Sequence, residues 1–320
     1  MSCTSLHAAS AGDGAYTWPT AARAGAGIRL IGRKTSVLLI IKPDWLLKKA
    51  GLCMLAAQNV QKYYTRRQLF QQAVTTAAVH NVTLCIKPGE TIGLVGESGS
   101  GKSTLARCMA LLEPVTGGAL TWHGRDITRV SAKDARELRR SIQLIFQDPV
   151  DAINPRLTVE RILTEPLYHF GIGSVQDRKD KARQIIERIG LTAGHLTRYP
   201  GELSRGQCQR VNIARALMAD PQIMICDEVI SSLDVSTGAQ IVRLLLDLQQ
   251  QSGYGYLFIS HDLARVVQIS QRIAVMYRGE LVEQRDSAGF HLEAAHPYTR
   301  SLIEAVPKLY TRSLQELAFT

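Results

Sequence analysis

The stretch GESGSGKST, residues 96 to 104, follows the apolar run IGLV and contains little that could pack. It fits the spacing G-x-x-x-x-G-K-[ST]. Gly96, Gly99 and Gly101 let the backbone curl until successive N–H groups point inward as an anion nest, with Glu97, Ser98 and Ser100 between them and Thr104 just beyond. A helix starting here would add its positive end, Lys102 would reach the outer phosphates of a nucleotide, and Ser103 would offer a hydroxyl to Mg²⁺. About 125 residues later, IMICDE places Asp227 and Glu228 at the end of another apolar run. There Asp227 would hold Mg²⁺ through water and Glu228 would polarise an attacking water. The loop alone does not choose between kinase, GTPase and ATPase. The long gap between the two motifs points to an inserted block.

These groups need a frame. TIGLVG and QIMICD read as short buried strands, and AAQNVQKYY and NVTLCIKPGE as strands separated by a polar connection. STLARCMALL reads as a helix, ALTWHGRDI as a hairpin turning at Gly124, and IQLIFQ, YLFIS and IAVMY as further strands. Residues from about 156 to 220 carry only helical patterns, and 235–250 form an amphipathic helix through Ile241, Leu244, Leu245 and Leu248. Strand–helix alternation interrupted by helices predicts an α/β fold: a P-loop NTPase core with a mainly parallel sheet, an N-terminal antiparallel β part and an inserted helical subdomain.

Bulk properties narrow the classes. The 320 residues are 45% hydrophobic and 21% charged, a globular mix, and no apolar run is long enough to span a bilayer. The formal charge of +10 suggests nucleic acid until it is mapped, because residues 1–53 hold seven basic side chains against Asp13 and Asp44. The rest is too dilute for a phosphate-backbone footprint, so no nucleic-acid partner is expected. Cys3, Cys53, Cys85, Cys108, Cys208 and Cys226 show no CxxC pair and are expected to be reduced, mostly buried thiols. Residues 1–53 lack sustained periodicity. They read as a mis-assigned start ahead of Met54, a flexible extension, or a transit peptide.

Inside the helical block stands ELSRGQCQRVNIARAL, which resembles the LSGGQ-x-QR signature of the ABC-transporter ATPases. The family's other elements follow in its order. Gln147 in IFQDP resembles the Q-loop glutamine, SSLD at 231–234 the D-loop, and His261 in FISHDL the switch histidine. Tyr64 resembles the aromatic residue that stacks on adenine, with Tyr63 as its rival. The resemblance spans roughly residues 56–306, and the expected organisation is an ATPase domain over 54–290, its helical subdomain at about 150–220, and a helical tail over 291–320. Without that context Gln147 reads as a surface amide and His261 as a helix cap.

The resemblance implies two subunits closing over ATP, so that Ser204, Gly206 and Gln207 at a helix start meet the γ-phosphate held by a second chain. It implies Mg²⁺ on Ser103, Gln147 and Asp227, Glu228 as base, and His261 steadying the γ-phosphate. Two departures stand out: Arg205 replaces the first signature glycine, and Val229 and Ile230 replace the usual Pro and Thr. QDPVDAINPRLTV and HPYTRSLIEAVP are similar to import ATPases for dipeptides, oligopeptides and nickel or metallophores. In that tail Leu302, Ile303 and Val306 would give a helix one apolar face, and with no cysteine after Cys226 no iron–sulfur cluster is expected. Such a chain would work at the cytoplasmic face of the inner membrane. Its partners would be permease subunits, a second ATPase in a heterodimer or homodimer, and a separate solute-binding protein. The alternatives are an exporter ATPase and a soluble ABC ATPase acting on ribosome or DNA.

Overall fold

The run TIGLV becomes β3 (Thr91–Val95), buried along its whole length inside a six-stranded sheet. The computed structural model describes residues 53–66, 74–290 and 294–305. β6 (Ile142–Ile145), β7 (Ile223–Asp227), β8 (Gly255–Ile259), β3 and β9 (Arg272–Tyr277) run parallel, and β10 (Glu280–Asp286) closes one edge antiparallel to β9. Parallel strands with both faces covered need apolar residues throughout, and β7 and β8 are buried at every position.

A separate antiparallel sheet takes the order β2-β1-β4-β5, from β1 (Leu55–Arg66), β2 (Val74–Ile86), β4 (Gly117–Trp122) and β5 (Arg125–Asp126). The hairpin between β4 and β5 turns at His123 and Gly124, both at positive φ (49° and 80°), the geometry of a two-residue type I′ turn. One core lies between this sheet, the larger sheet and α1 (Lys102–Met109), through Leu84, Ile92, Leu105 and Ile225.

The other core joins the opposite face of the larger sheet to α3 (Val159–Phe170), α4 (Val175–Arg188), α5 (Arg205–Leu217), α6 (Val235–Ser252) and α7 (Leu263–Ile269). α3, α4 and α5 lie in sequence between β6 and β7, where only helical patterns were expected. In α6, Ile241, Leu245 and Leu248 are buried while Leu244 packs at the margin. α2 (Ala132–Ser141) was not anticipated. It is polar except around Ala135 and Leu138, and its local signal is the cap in which Ser131 Oγ accepts the N–H of Asp134 at 3.1 Å. The last described helix, α8 (Pro297–Glu304), begins with proline after the capping His296. Its Leu302 and Ile303 pack against the second core, and Val306 lies outside the described residues.

The expectation of reduced cysteines is corrected at one pair: Cys53 and Cys85 form a disulfide, with Cα atoms 5.6 Å apart. Sequence spacing gave no hint, because the pair, 32 positions apart, meets through the path of the chain entering β1 and not through the ladder, in which Cys85 faces Ala56. Cys108, Cys208 and Cys226 are free and buried, and burial pushes the Cys226 thiol up to about 12. Cys3 and the rest of 1–52 lie outside the described residues.

Candidate functional site

The loop leaves β3 at Gly96 and enters α1 at Lys102. Gly101 occupies the capping position at φ 107°, where a Cβ would stand 2.1 Å from the Ala78 carbonyl oxygen. At Gly96 a Cβ would stand 2.1 Å from the Met276 carbonyl oxygen, so neither position accepts a side chain. No side chain caps α1, which leaves its first N–H groups as donors without a partner from the capping residue. Lys102 is only 4% exposed and donates to the carbonyls of Gly96 (2.7 Å) and Glu97 (2.6 Å) and to Ser100 Oγ (3.2 Å). Burial lowers its pKa, while the carboxylates of Glu228, Asp227 and Glu97 act against the fall. The ammonium is thus buried on loop oxygens that phosphate oxygens can replace.

At the end of β7, Ser103 Oγ donates to Asp227 Oδ1 at 3.2 Å. Burial raises the Asp227 pKa, with Glu228 adding to the rise, although Ser103, Arg107 and Lys102 oppose it. Glu228 takes the left-handed conformation at φ 49°, which is costly for a residue with a Cβ and is held by its surroundings. Its N–H donates to the Ile259 carbonyl at 3.0 Å, and its own carbonyl accepts from Ser231 N–H (3.1 Å) and Oγ (2.8 Å). The carboxylate is thereby aimed between two groups: Gln147 Nε2 donates to Glu228 Oε2 at 3.0 Å, and His261 Nδ1 stands 3.5 Å from the same oxygen.

Ser98, Gly99, Gly101, Lys102, Ser103, Thr104, Gln147, Glu228 and His261 line a single cavity of about 420 Å³, with Ala78 of β2 as a further wall. Asp227 joins it through Ser103. A larger groove of about 780 Å³, bounded by Arg188, Arg210, Leu244 and Arg265, contains none of the predicted residues.

Tyr64 stands at the rim of this arrangement. Its hydroxyl bonds to Glu113, which also pairs with Arg107 (2.8 Å) and Lys62 (3.7 Å), and Thr104 and Arg107 contribute to its electrostatic surroundings. Lys62 lies over the ring, 5.2 Å from its centroid. Adjacent strand residues point to opposite faces, so the rival Tyr63 does not share this environment.

Ser204, Gly206 and Gln207 do not line the cavity. They open α5, where Ser204 Oγ accepts the Gln207 N–H at 3.2 Å and Gln207 Oε1 accepts the Ser204 N–H at 3.0 Å. A Cβ on Gly206 would stand 2.4 Å from Thr237 Cγ2 of α6. Arg205 is the exposed first residue of α5 and has no positive φ, so its backbone does not require glycine. Val229 and Ile230 are buried in the second core, filling it with apolar volume.

With this geometry in place, likeness to known proteins is informative. The family description "ABC transporter" matches residues 79–231. The chain is 46% identical over 244 residues to the oligopeptide transport ATP-binding protein OppF of Salmonella typhimurium, covering 76% of this chain and 73% of OppF. This chain belongs to the ABC transporter ATP-binding family. Over 269 residues it is 45% identical to the glutathione import ATP-binding protein GsiA of Salmonella choleraesuis, covering 84% of this chain but only 42% of GsiA. Among solved structures, the dimeric ATP-binding cassette MJ0796 bound to ADP and Pi superposes with a TM-score of 0.66 at 30% identity, covering 74% of this chain and all of that one.

This ABC ATPase also contains contacts that motif reading did not reach. Ala78 walls the cavity from β2, Glu113 fixes Tyr64, and the Glu97 amide meets a residue of α8. The first two carry no sequence signal beyond apolar or charged character. The third lies in the tail motif HPYTR, whose reach to the loop no spacing could reveal.

Proposed function

We propose that this ABC ATPase is the nucleotide-hydrolysing subunit of an importer for peptides or related small solutes, working through a separate membrane permease. The observation that carries the enzymatic part is the Glu228 carboxylate. It is held between Gln147 and His261 in the same cavity as Lys102 and Ser103, so a base for water and a grip on phosphate share one enclosure. ATP lies with its phosphates over the loop N–H groups and the start of α1, and Lys102 exchanges loop carbonyls for phosphate oxygens. The donor set suits Mg²⁺, because the adjacent Ser103 hydroxyl and Asp227 carboxylate are hard oxygen ligands. Ser103, Gln147 and Asp227 would hold the ion, which would neutralise charge on the transferred phosphoryl group.

Glu228 takes a proton from water, Gln147 orients it, and His261 steadies the γ-phosphate. Tyr64 supports the adenine. Ser204, Gly206 and Gln207 serve the triphosphate of a second ATPase subunit, since on their own chain they stand apart from the loop. The tail motif and the named functions of OppF and GsiA support peptide cargo, with nickel as a family possibility. Among the described residues no helix is long and apolar enough to cross a membrane, which fits a chain bound to permease subunits at the cytoplasmic face of the inner membrane, with a solute-binding protein delivering cargo.

The test is reconstitution in lipid vesicles with the co-purifying permease, a second ATPase and the solute-binding protein. ATP-dependent uptake of a di- or oligopeptide is expected. Intact ATPase activity without uptake across a peptide and nickel panel would sink the cargo assignment, and co-purification with ribosomes or DNA in place of membrane proteins would sink the importer.

A further inference from the structure

The opening residue pair of the phosphate loop is held from the far end of the chain. Glu97 N–H donates to Tyr298 Oη at 2.9 Å, although the two residues are 201 positions apart. The Tyr298 ring lies on Tyr277, with centroids 4.2 Å apart and planes inclined by 32°. Tyr277 ends β9, which pairs with β3, the strand that feeds the loop. The tyrosine thus rests on a rigid neighbour of the loop it touches.

Its helix is fixed as well. Glu283 of β10 accepts from the N–H groups of Ala295 and His296 at 2.9 and 3.2 Å, just ahead of α8. Burial works to raise the Glu283 pKa, but these donors and the Arg285 guanidinium outweigh it and bring it down to about 2. His296 Nδ1 accepts the Tyr298 N–H at 3.2 Å, and Tyr298, Leu302 and Ile303 pack on the second core.

Glu97 is therefore gripped twice. Lys102 holds its carbonyl from the loop side, and Tyr298 holds its N–H. The two contacts have different fates when nucleotide enters. Lys102 must release loop carbonyls to meet phosphate, whereas Tyr298 does not line the cavity and can keep its hydrogen bond throughout. We propose that Tyr298 is a positioning residue for nucleotide binding. Its hydroxyl keeps the Glu97 peptide in place while Lys102 changes partners, so the loop's donors are pre-set for the phosphates. This inference rests on residues 96–104 being the nucleotide site, and it gives the C-terminal helix a role in ATP affinity.

The test compares full-length wild type with Tyr298→Phe, Glu283→Gln and Lys102→Ala. It measures the Kd of Mg-ATP by calorimetry, steady-state KM and kcat in the assembled complex, Tm, and amide hydrogen exchange at Glu97. Tyr298→Phe keeps the ring on Tyr277 and removes only the hydroxyl. It should raise Kd and KM together by about three- to tenfold, because ATP must then order a Glu97 peptide that the free chain no longer holds in place. kcat at saturating ATP should stay within about twofold, as for lost uniform binding. Tm should fall by no more than a few degrees, the scale of one hydrogen bond, and Glu97 exchange should speed up. Glu283→Gln, which loosens the helix but spares the hydroxyl, should shift Kd in the same direction by less. Unchanged Kd and KM in Tyr298→Phe would overturn the proposal. So would a rise in Kd accompanied by a clear fall in Tm, which would mark a structural role only. If Lys102→Ala binds ATP like wild type, the loop assignment itself fails. If Lys102→Ala loses ATP while Tyr298→Phe is silent, only the tyrosine's role fails.

Discussion

At the start of α1 the capping position is Gly101, which has no side chain to offer, and the first-turn residues Lys102, Ser103 and Thr104 line the cavity. At the start of α5 the capping position is Ser204, and a reciprocal pair of hydrogen bonds with Gln207 closes the turn on itself. Both sites read in sequence as anion-binding helix ends. Their difference is one of readiness. The α1 end is an open receptor, because its capping glycine has no side chain with which to occupy the first N–H groups. The α5 end is partly occupied within its own chain, because the Ser204 and Gln207 N–H groups are already bonded to each other's side chains. This asymmetry suits a protein in which one helix end binds nucleotide alone and the other acts only when a second subunit presents a triphosphate.

The largest expected effect leaves both ends intact. Glu228→Gln should slow turnover by roughly 10²–10⁴, the usual contribution of a general base, while ATP affinity is retained and an ATP-bound dimer accumulates. Unchanged turnover would place the base elsewhere. Lys102→Ala strikes only the open end. Removing a buried ammonium that would make two or more charge-assisted bonds should weaken ATP binding by about a hundredfold or more, read by calorimetry, with α5 undisturbed. Ser204→Ala strikes only the closed end. It should cost about 1 kcal/mol of stability as a lost cap, leave ATP affinity of the isolated chain untouched, and weaken ATP-driven dimerisation by size-exclusion chromatography. If instead it weakened ATP binding to the isolated chain, the division of labour between the two ends would be wrong.

How far the sequence disclosed this arrangement depends on the range of each contact. Gly96 to Thr104 were legible because the chemistry is local: glycines, a lysine and a hydroxyl within one turn of chain. Asp227 and Glu228 were legible as a strand end, but the left-handed backbone that aims Glu228 between Gln147 and His261 was not. α2 was missed because its apolar stripe is thin, although Ser131 and Asp134 carried a cap signal. The Cys53–Cys85 link and the Tyr298–Glu97 contact were invisible for one reason: each is created where segments distant in sequence pack together, which residue spacing does not encode.

Arg205 offers the finest test of the comparison, because it separates backbone strain from charge at the closed end. It is exposed, opens α5, and lacks the positive φ that would make glycine necessary. If strain were present, Arg205→Gly would stabilise the chain by about 1–2 kcal/mol. Without it, the same change should lower stability by about 1 kcal/mol or less, from helix propensity alone, as read in urea unfolding. Its charge then has one remaining use, to favour an incoming triphosphate beside Ser204. In a Glu228→Gln background, Arg205→Gly should weaken ATP-dependent dimerisation about two- to fivefold at low salt, the scale of a single exposed charge near an anion. That difference should shrink as ionic strength passes about 0.15 M, where screening reaches about 8 Å. A salt-independent loss would assign the effect to helix geometry, and a gain in dimer affinity would mean that arginine hinders the end it was thought to assist.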